Sequence, residues 1–198
     1  MNILIAGATG NTGKRLANQL SHDGHHVIAM HRDNSDTAGL PSDVELREAD
    51  LTNLQDNVCD GADVVIFAAG SGPDTGDEMT DKVDRKGAIS LIDIAAASPP
   101  NRFVMLSSVG AGDPDPDSDL ACYLQAKHDA DEHLKAADID HVILRPVALT
   151  DDDGDRAILL GDDVDSSAEA HRGDVAAVLA RAATQDELLG RTVLMQSV

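Results

Sequence analysis

The chain predicts a single doubly wound α/β domain, a mostly parallel sheet with helices on both faces. Three observations carry this. Short apolar runs alternate with helical patterns along nearly the whole length. The runs are continuous rather than alternating, as strands covered on both faces are. A glycine-spaced turn joins the first run to the first helical pattern.

Element by element, Asn2–Ala6 reads as the first strand and Thr12–Leu20 as the first helix, with Leu16, Ala17 and Leu20 inward. Asp23-Gly24 ends it, and Val27–Met30 is the second strand. Val44–Arg47 is a short third strand, followed by a small helix over 53–59. Asp63–Ala69 is a fully buried fourth strand. A long helix is expected from Glu78 to Ala97, stopped by Pro99-Pro100. Phe103–Leu106, a helix over 120–137, the strand His141–Leu144, a helix over 174–183 and a strand over 192–196 complete the series. Only 150–170 breaks the rhythm, and it reads as a small cap near the carboxyl ends of the strands, where ligands bind in such sheets. All 198 residues are thus expected in one domain, too short for a nucleotide domain plus a full substrate domain.

Gly7-Ala8-Thr9-Gly10-Asn11-Thr12-Gly13 sits directly between strand and helix. Strand, glycine turn, helix is the order that holds a dinucleotide pyrophosphate. The first glycine permits the turn, the second lets backbone N–H groups approach phosphate, and the third lets helix and strand pack closely. The free N–H groups and positive dipole end of the helix then face the anion.

Composition bounds the rest. Acids outnumber bases 36 to 15, for a net charge of −21. Such a chain lacks the basic footprint of a nucleic-acid binder, and its regular apolar periodicity excludes an acidic disordered protein. The expectation is a surface adapted to concentrated salt. No apolar run approaches the ~20 residues of a membrane span, and the N-terminus shows no basic-then-apolar signal pattern. Two cysteines, Cys59 and Cys122, suit a reducing cytoplasm. The aspartate-rich stretches 113–119 and 151–155 do not match a calcium loop, the histidines read as structural or surface, and no metal site is expected.

Tyr123 and Lys127 stand four apart on one expected helix and so share a face. An ammonium beside a phenol favours the phenolate and prepares a general acid/base; the plainer alternative is a surface tyrosine beside a solvated lysine. Ser107-Ser108 ends the fifth strand on the same rim. Past the second strand the first charged side chain is Arg32, which points to NADP over NAD, although Asp33 follows at once. Lys14 and Arg15, in the first turn of a helix, read either as partners of a phosphate or as solvated side chains.

Together these pieces resemble the short-chain dehydrogenase/reductase superfamily over nearly the whole chain. The residues concerned are Gly7–Gly13, Asp50-Leu51, Ala68-Ala69-Gly70, Ser107-Ser108-Val109-Gly110, Tyr123-x-x-x-Lys127 and Leu144-Arg145-Pro146. The resemblance is to its atypical, short, epimerase-related branch of NAD(P)H-binding proteins similar to biliverdin/flavin reductases and nitrogen-repressor-like sensors. It implies a Rossmann-type domain in which Asp50 and Leu51 flank the adenine and Ala68, Ala69 and Gly70 line the ribose. It further implies that Ser108 orients a substrate oxygen, Tyr123 exchanges the proton, Lys127 holds the nicotinamide ribose, and Pro146 and Val147 border the nicotinamide. Asp84 stands where the superfamily usually has an active-site asparagine, and a carboxylate cannot donate a hydrogen bond as an amide does.

The expected function is an NADP-dependent oxidoreductase, or epimerase-like relative, acting on a small carbonyl, alcohol or flavin-like substrate as a monomer or homodimer. The alternative is a non-catalytic NADP(H)-binding redox sensor acting through a protein partner. Ser108, Tyr123 and Lys127 favour the enzyme; Asp84 and the lean substrate region favour the sensor.

Overall fold

The computed structural model describes residues 1–72, 75–97 and 100–198. Five strands, β1 (Asn2–Ala6), β2 (His26–His31), β3 (Glu45–Glu48), β4 (Val64–Phe67) and β5 (Arg102–Leu106), precede the second half of the sheet. That half consists of β6 (Asp140–Pro146), β8 (Ile158–Leu160) and β10 (Thr192–Ser197), while β7 (Ala148–Thr150) and β9 (Glu169–His171) pair separately. The large sheet runs β3-β2-β1-β4-β5-β6-β10-β8, parallel except for β8, which is antiparallel to β10. Strand order reverses between β1 and β4, so the carboxyl ends of these strands part there and open a crevice.

The continuous apolar runs have a simple cause. Successive side chains of β1 point to opposite faces. Ile3 and Ile5 join a core with Leu16, Leu20, Val175 and Leu179 under α1 (Asn11–His22) and α5 (Arg172–Thr184). Leu4 and Ala6 join the other core with Phe67, Leu91, Phe103 and Leu134. That second face is covered by α3 (Ala88–Ala96) and α4 (Ala121–Ala136), preceded by the short α2 (Gly76–Thr80). Arg102 ties the layers together, its guanidinium donating to Ala182 O, Ala183 O and Gln185 O at the carboxyl end of α5.

Two expectations need correction. Residues 53–59 form successive turns, with Val58 N–H on Gln55 O and Asp60 N–H on Asn57 O, rather than a helix. Asn and Asp side chains there compete with helical bonding, and Arg47 takes Val58 O and Asp60 O for itself. The long helix is continuous, but its middle, Asp81–Gly87, is π-helical. It ends at Ala96; of the proposed stop, Pro99 lies outside the described residues. The stretch 150–170, expected as a small cap, supplies β8 to the sheet edge and the first residues of β9. Strands of three residues are too short to show a period.

Candidate active site

The glycine turn is fixed by sterics. Gly7 has φ +86°, and a Cβ there would lie 2.6 Å from the backbone of Ala69. A Cβ on Gly13 would lie 2.0 Å from Gly7 O, so only glycine lets α1 start this close to β1. Gly10 is the exposed N-cap of α1 and offers no side-chain cap. The first-turn N–H groups therefore have no acceptor within the helix. They open beside a cavity of about 1040 Å³.

Gly7, Thr9 and Gly10 form one wall of this cavity; Arg32, Asp50 and Leu51 form the far end; Ala68, Ala69 and Gly70 form the floor. These nine residues named from the sequence are brought together. Asn11, Thr12 and Gly13 stand behind the turn. Thr12 and Gly13 are buried, and the Asn11 amide donates to Asp151 Oδ1 at 3.0 Å. Arg32 is exposed on the rim, its backbone N–H bonded to the Ser35 hydroxyl. Asp50 accepts from the backbone N–H and hydroxyl of Thr52, which hold its carboxyl below the usual range, with a smaller contribution from Arg32. Arg15 is committed elsewhere, to Asp153 at 2.7 Å, and Lys14 lies 3.7 Å from Asp36.

Sequence reasoning missed the opposite wall. Met79, Lys82, Val83, Lys86 and Ser90 line it from the π-helical segment and its flanks, and Ser71 and Thr75 close the end. The spacing of Lys82 and Lys86 was a visible signal for a shared face. Their ammonium groups pair with Glu78 at 2.7 Å and Asp81 at 2.8 Å.

Asp84, Ser108, Tyr123 and Lys127 do not line this cavity; Lys127 stands next to Asp84 and Tyr123 and reaches Ala69 O of the floor. Lys127 and Asp84 are both buried, with Lys127 Nζ 3.1 Å from Asp84 Oδ1, an ion pair rather than an aligned hydrogen bond. The other oxygen of Asp84 accepts from Ser71 N–H at 2.9 Å. The ammonium also reaches Ala69 O and Leu106 O, each at 3.4 Å, and lies 5.7 Å from the centre of the Tyr123 ring. Burial alone would depress the Lys127 pKa, but Tyr123, Asp84 and Asp131 outweigh it, and the value lies above the ordinary one. Tyr123 itself is only partly buried.

Ser107 and Ser108 divide their roles. The Ser107 hydroxyl turns inward and donates to Asp131 Oδ2 at 2.8 Å, leaving Ser108 partly exposed on the rim. Asp131 also accepts from Arg145 Nε at 2.9 Å; burial pushes its carboxyl up, against the pull of Ser107 and Arg145. Ser107 N–H bonds Leu144 O and Val109 N–H bonds Pro146 O, so the ends of β5 and β6 lie side by side. Pro146 and Val147 are buried there and do not line the cavity. Asp131 was not anticipated from the sequence, although it follows Lys127 by one helical turn.

This is the site of a nucleotide-binding α/β protein. A model of the NAD(P)H-binding family matches residues 7–186, and the chain belongs to that family. It is 33% identical over 173 residues to YhfK of Bacillus subtilis, named an uncharacterized sugar epimerase, covering 83% of this chain and 80% of that one. Among solved structures it is similar to a Bacillus halodurans protein provisionally named an NAD-dependent epimerase/dehydratase. That match has a TM-score of 0.93 at 32% identity, covering 100% of this chain and 94% of the other. It is also similar to the oxidoreductase ylbE of Lactococcus lactis, at TM-score 0.88 and 29% identity over 100% and 91% of the two chains.

Proposed function

We propose that the protein is an NADP-dependent oxidoreductase of the epimerase-like kind, acting on a small carbonyl, alcohol or flavin-like substrate. The observation that carries this reading is the partly buried Tyr123 ring 5.7 Å from a buried, charged Lys127, whose ammonium reaches Ala69 O on the floor of a nucleotide-sized cavity. A protein that only held the nucleotide would have no use for a phenol so placed. The names of YhfK, the Bacillus halodurans protein and ylbE agree with an enzyme of this class.

The residues present suit the nucleotide. Unbonded N–H groups at the start of α1 suit a pyrophosphate, and a Cβ-free turn leaves backbone accessible to it. Arg32 at the far end suits a 2′-phosphate, which a carboxylate in its place would repel. When bound, the nucleotide supplies hydride transfer at its nicotinamide.

The chain supplies the proton. In reduction of a carbonyl, the Tyr123 hydroxyl donates to the substrate oxygen as carbon gains the hydride, and Ser108 hydrogen-bonds that oxygen to orient it. Lys127 holds its charge near the phenol, and Asp84 anchors Lys127. In the oxidative direction Tyr123 takes the proton from the alcohol.

The test is NADPH oxidation against quinones, flavins, aldehydes and ketones in high salt, with parent and Tyr123→Phe side by side. Loss of the hydroxyl alone is expected to lower turnover by ~10²–10⁴-fold with nucleotide affinity nearly unchanged. An unchanged rate in Tyr123→Phe would show that another group moves the proton.

A further inference from the structure

Lys127 is almost wholly buried, and so is its partner Asp84. The π-helical segment delivers that carboxylate to the ammonium at 3.1 Å, while Ser71 N–H fixes the other carboxylate oxygen at 2.9 Å. The Phe67 ring, 5.4 Å from Nζ, covers a further side. In so dry a place a neighbouring charge acts strongly, because little water screens it.

The other charges around α4 have partners of their own. On the π-helical segment Arg85 pairs with Asp81 and lies 3.8 Å from Asp129 of α4. Arg145 of β6 pairs with Asp131 of α4. His128 of α4 bonds Ala111 O, and His133 of α4 meets Asp93 of α3 at the far end. Asp77 of α2 acts on Cys122. Leu106 of β5 and Ala69, just past β4, turn carbonyl oxygens toward Lys127, and Phe67 of β4 turns its ring. The charge that Asp84 faces is thus that of Lys127, a cation 5.7 Å from the centre of the Tyr123 ring.

We infer that Asp84 is a positioning residue that sets the pH range of the reaction: by neutralising Lys127 it withholds from Tyr123 the help a bare cation would give in losing its proton. As a role in turnover this rests on the acid/base reading of Tyr123. A bare ammonium favours phenolate over phenol, and an ammonium paired with a carboxylate favours it less. The site with Asp84 therefore keeps Tyr123 as a proton donor to higher pH than the same site with a neutral amide would. The carboxylate at position 84 then suits the reductive direction, in which the phenol must arrive protonated.

The chain contains one tyrosine and no tryptophan, so the near-ultraviolet absorbance of phenolate reports Tyr123 alone. The experiment is a pH titration of that absorbance in high salt for the parent and Asp84→Asn, without nucleotide, with circular dichroism confirming the fold at each pH. The midpoint is expected to fall by about one pH unit or more in Asp84→Asn. An unchanged or raised midpoint overturns the inference. Should Asp84→Asn fail to fold, the same titration compares Lys127→Gln with the double variant Asp84→Asn/Lys127→Gln. The single variant, left with an uncompensated carboxylate, is expected to titrate higher than the double one; equal midpoints overturn the inference. Neither titration requires turnover, so this result is separable from that of the Tyr123→Phe assay. If the parent does turn over, the pH limb of kcat reporting the proton donor moves with the absorbance midpoint, while KM for NADPH does not.

Discussion

Gly13 and Gly10 belong to one turn but meet different constraints. A Cβ on Gly13 must displace backbone 2.0 Å away, whereas one on Gly10 would meet Gly7 O at 3.4 Å. Gly13→Ala is expected to lower stability by about 1–3 kcal/mol or more in chemical denaturation. Gly10→Ala should cost about 0.5–1 kcal/mol as an N-cap change, and weaken NADPH binding because its methyl group enters the phosphate approach. Equal stability losses for the two would contradict this division. At the far end of the cavity, Arg32→Ala is expected to weaken NADPH by roughly 10–100-fold, the loss of one charged hydrogen-bonding partner, while leaving NADH unchanged. A titration with both nucleotides checks it. The turn glycines were legible in the sequence because sterics alone dictates them. Asp131 was not, because its meaning depends on Ser107 and Arg145, which only the folded sheet brings to it.

At the scale of elements, the central strands and the main helices followed from periodicity, since strands such as β1, β4 and β5 are apolar runs buried on both faces. What escaped was local backbone choice: the turns at 53–59, the π-helical stretch and the three-residue strands after β6. The π-helical stretch matters most, since it carries Lys82, Asp84 and Lys86 to the site and brings Gly87 against Leu51, where a Cβ would lie only 2.9 Å from that side chain. Apolar spacing does not distinguish a helix of this kind from an ordinary one over so few residues. The Asp131–Arg145 pair joins α4 to β6, and through Ser107 to β5. Removing one partner leaves a buried charge, so Asp131→Ala is expected to cost about 3–5 kcal/mol. Its pH behaviour has a definite sign. The folded carboxyl is raised above its ordinary value of 3.8, so the unfolded chain gives up this proton first. Stability associated with this group is therefore fully present below 3.8 and lost as pH rises toward the raised value. Urea midpoints measured across that window should fall less steeply with rising pH in Asp131→Asn than in the parent; identical slopes would contradict this assignment.

The whole molecule carries 36 acids against 15 bases, and many of the bases are already paired. Attraction within exposed pairs is worth little, so the summed repulsion among surplus carboxylates decides the effect of salt. The Debye length shrinks from about 10 Å at 0.1 M to about 3 Å at 1 M, which removes most of that repulsion. We propose that the fold is adapted to concentrated salt, and Tm is expected to rise steadily from dilute to molar salt in circular-dichroism melts. A flat Tm would show that the surface charges are too dispersed to matter.

One cavity and one phenol are proposed to act together on a bound nucleotide, and a crystal structure with NADPH would decide it. The pyrophosphate is expected at the first turn of α1 and the 2′-phosphate at Arg32. The nicotinamide is expected at the carboxyl ends of β5 and β6, within reach of Tyr123 and Ser108. A nucleotide seated outside the cavity, or a nicotinamide turned away with Tyr123 out of reach of any substrate beside it, would contradict it.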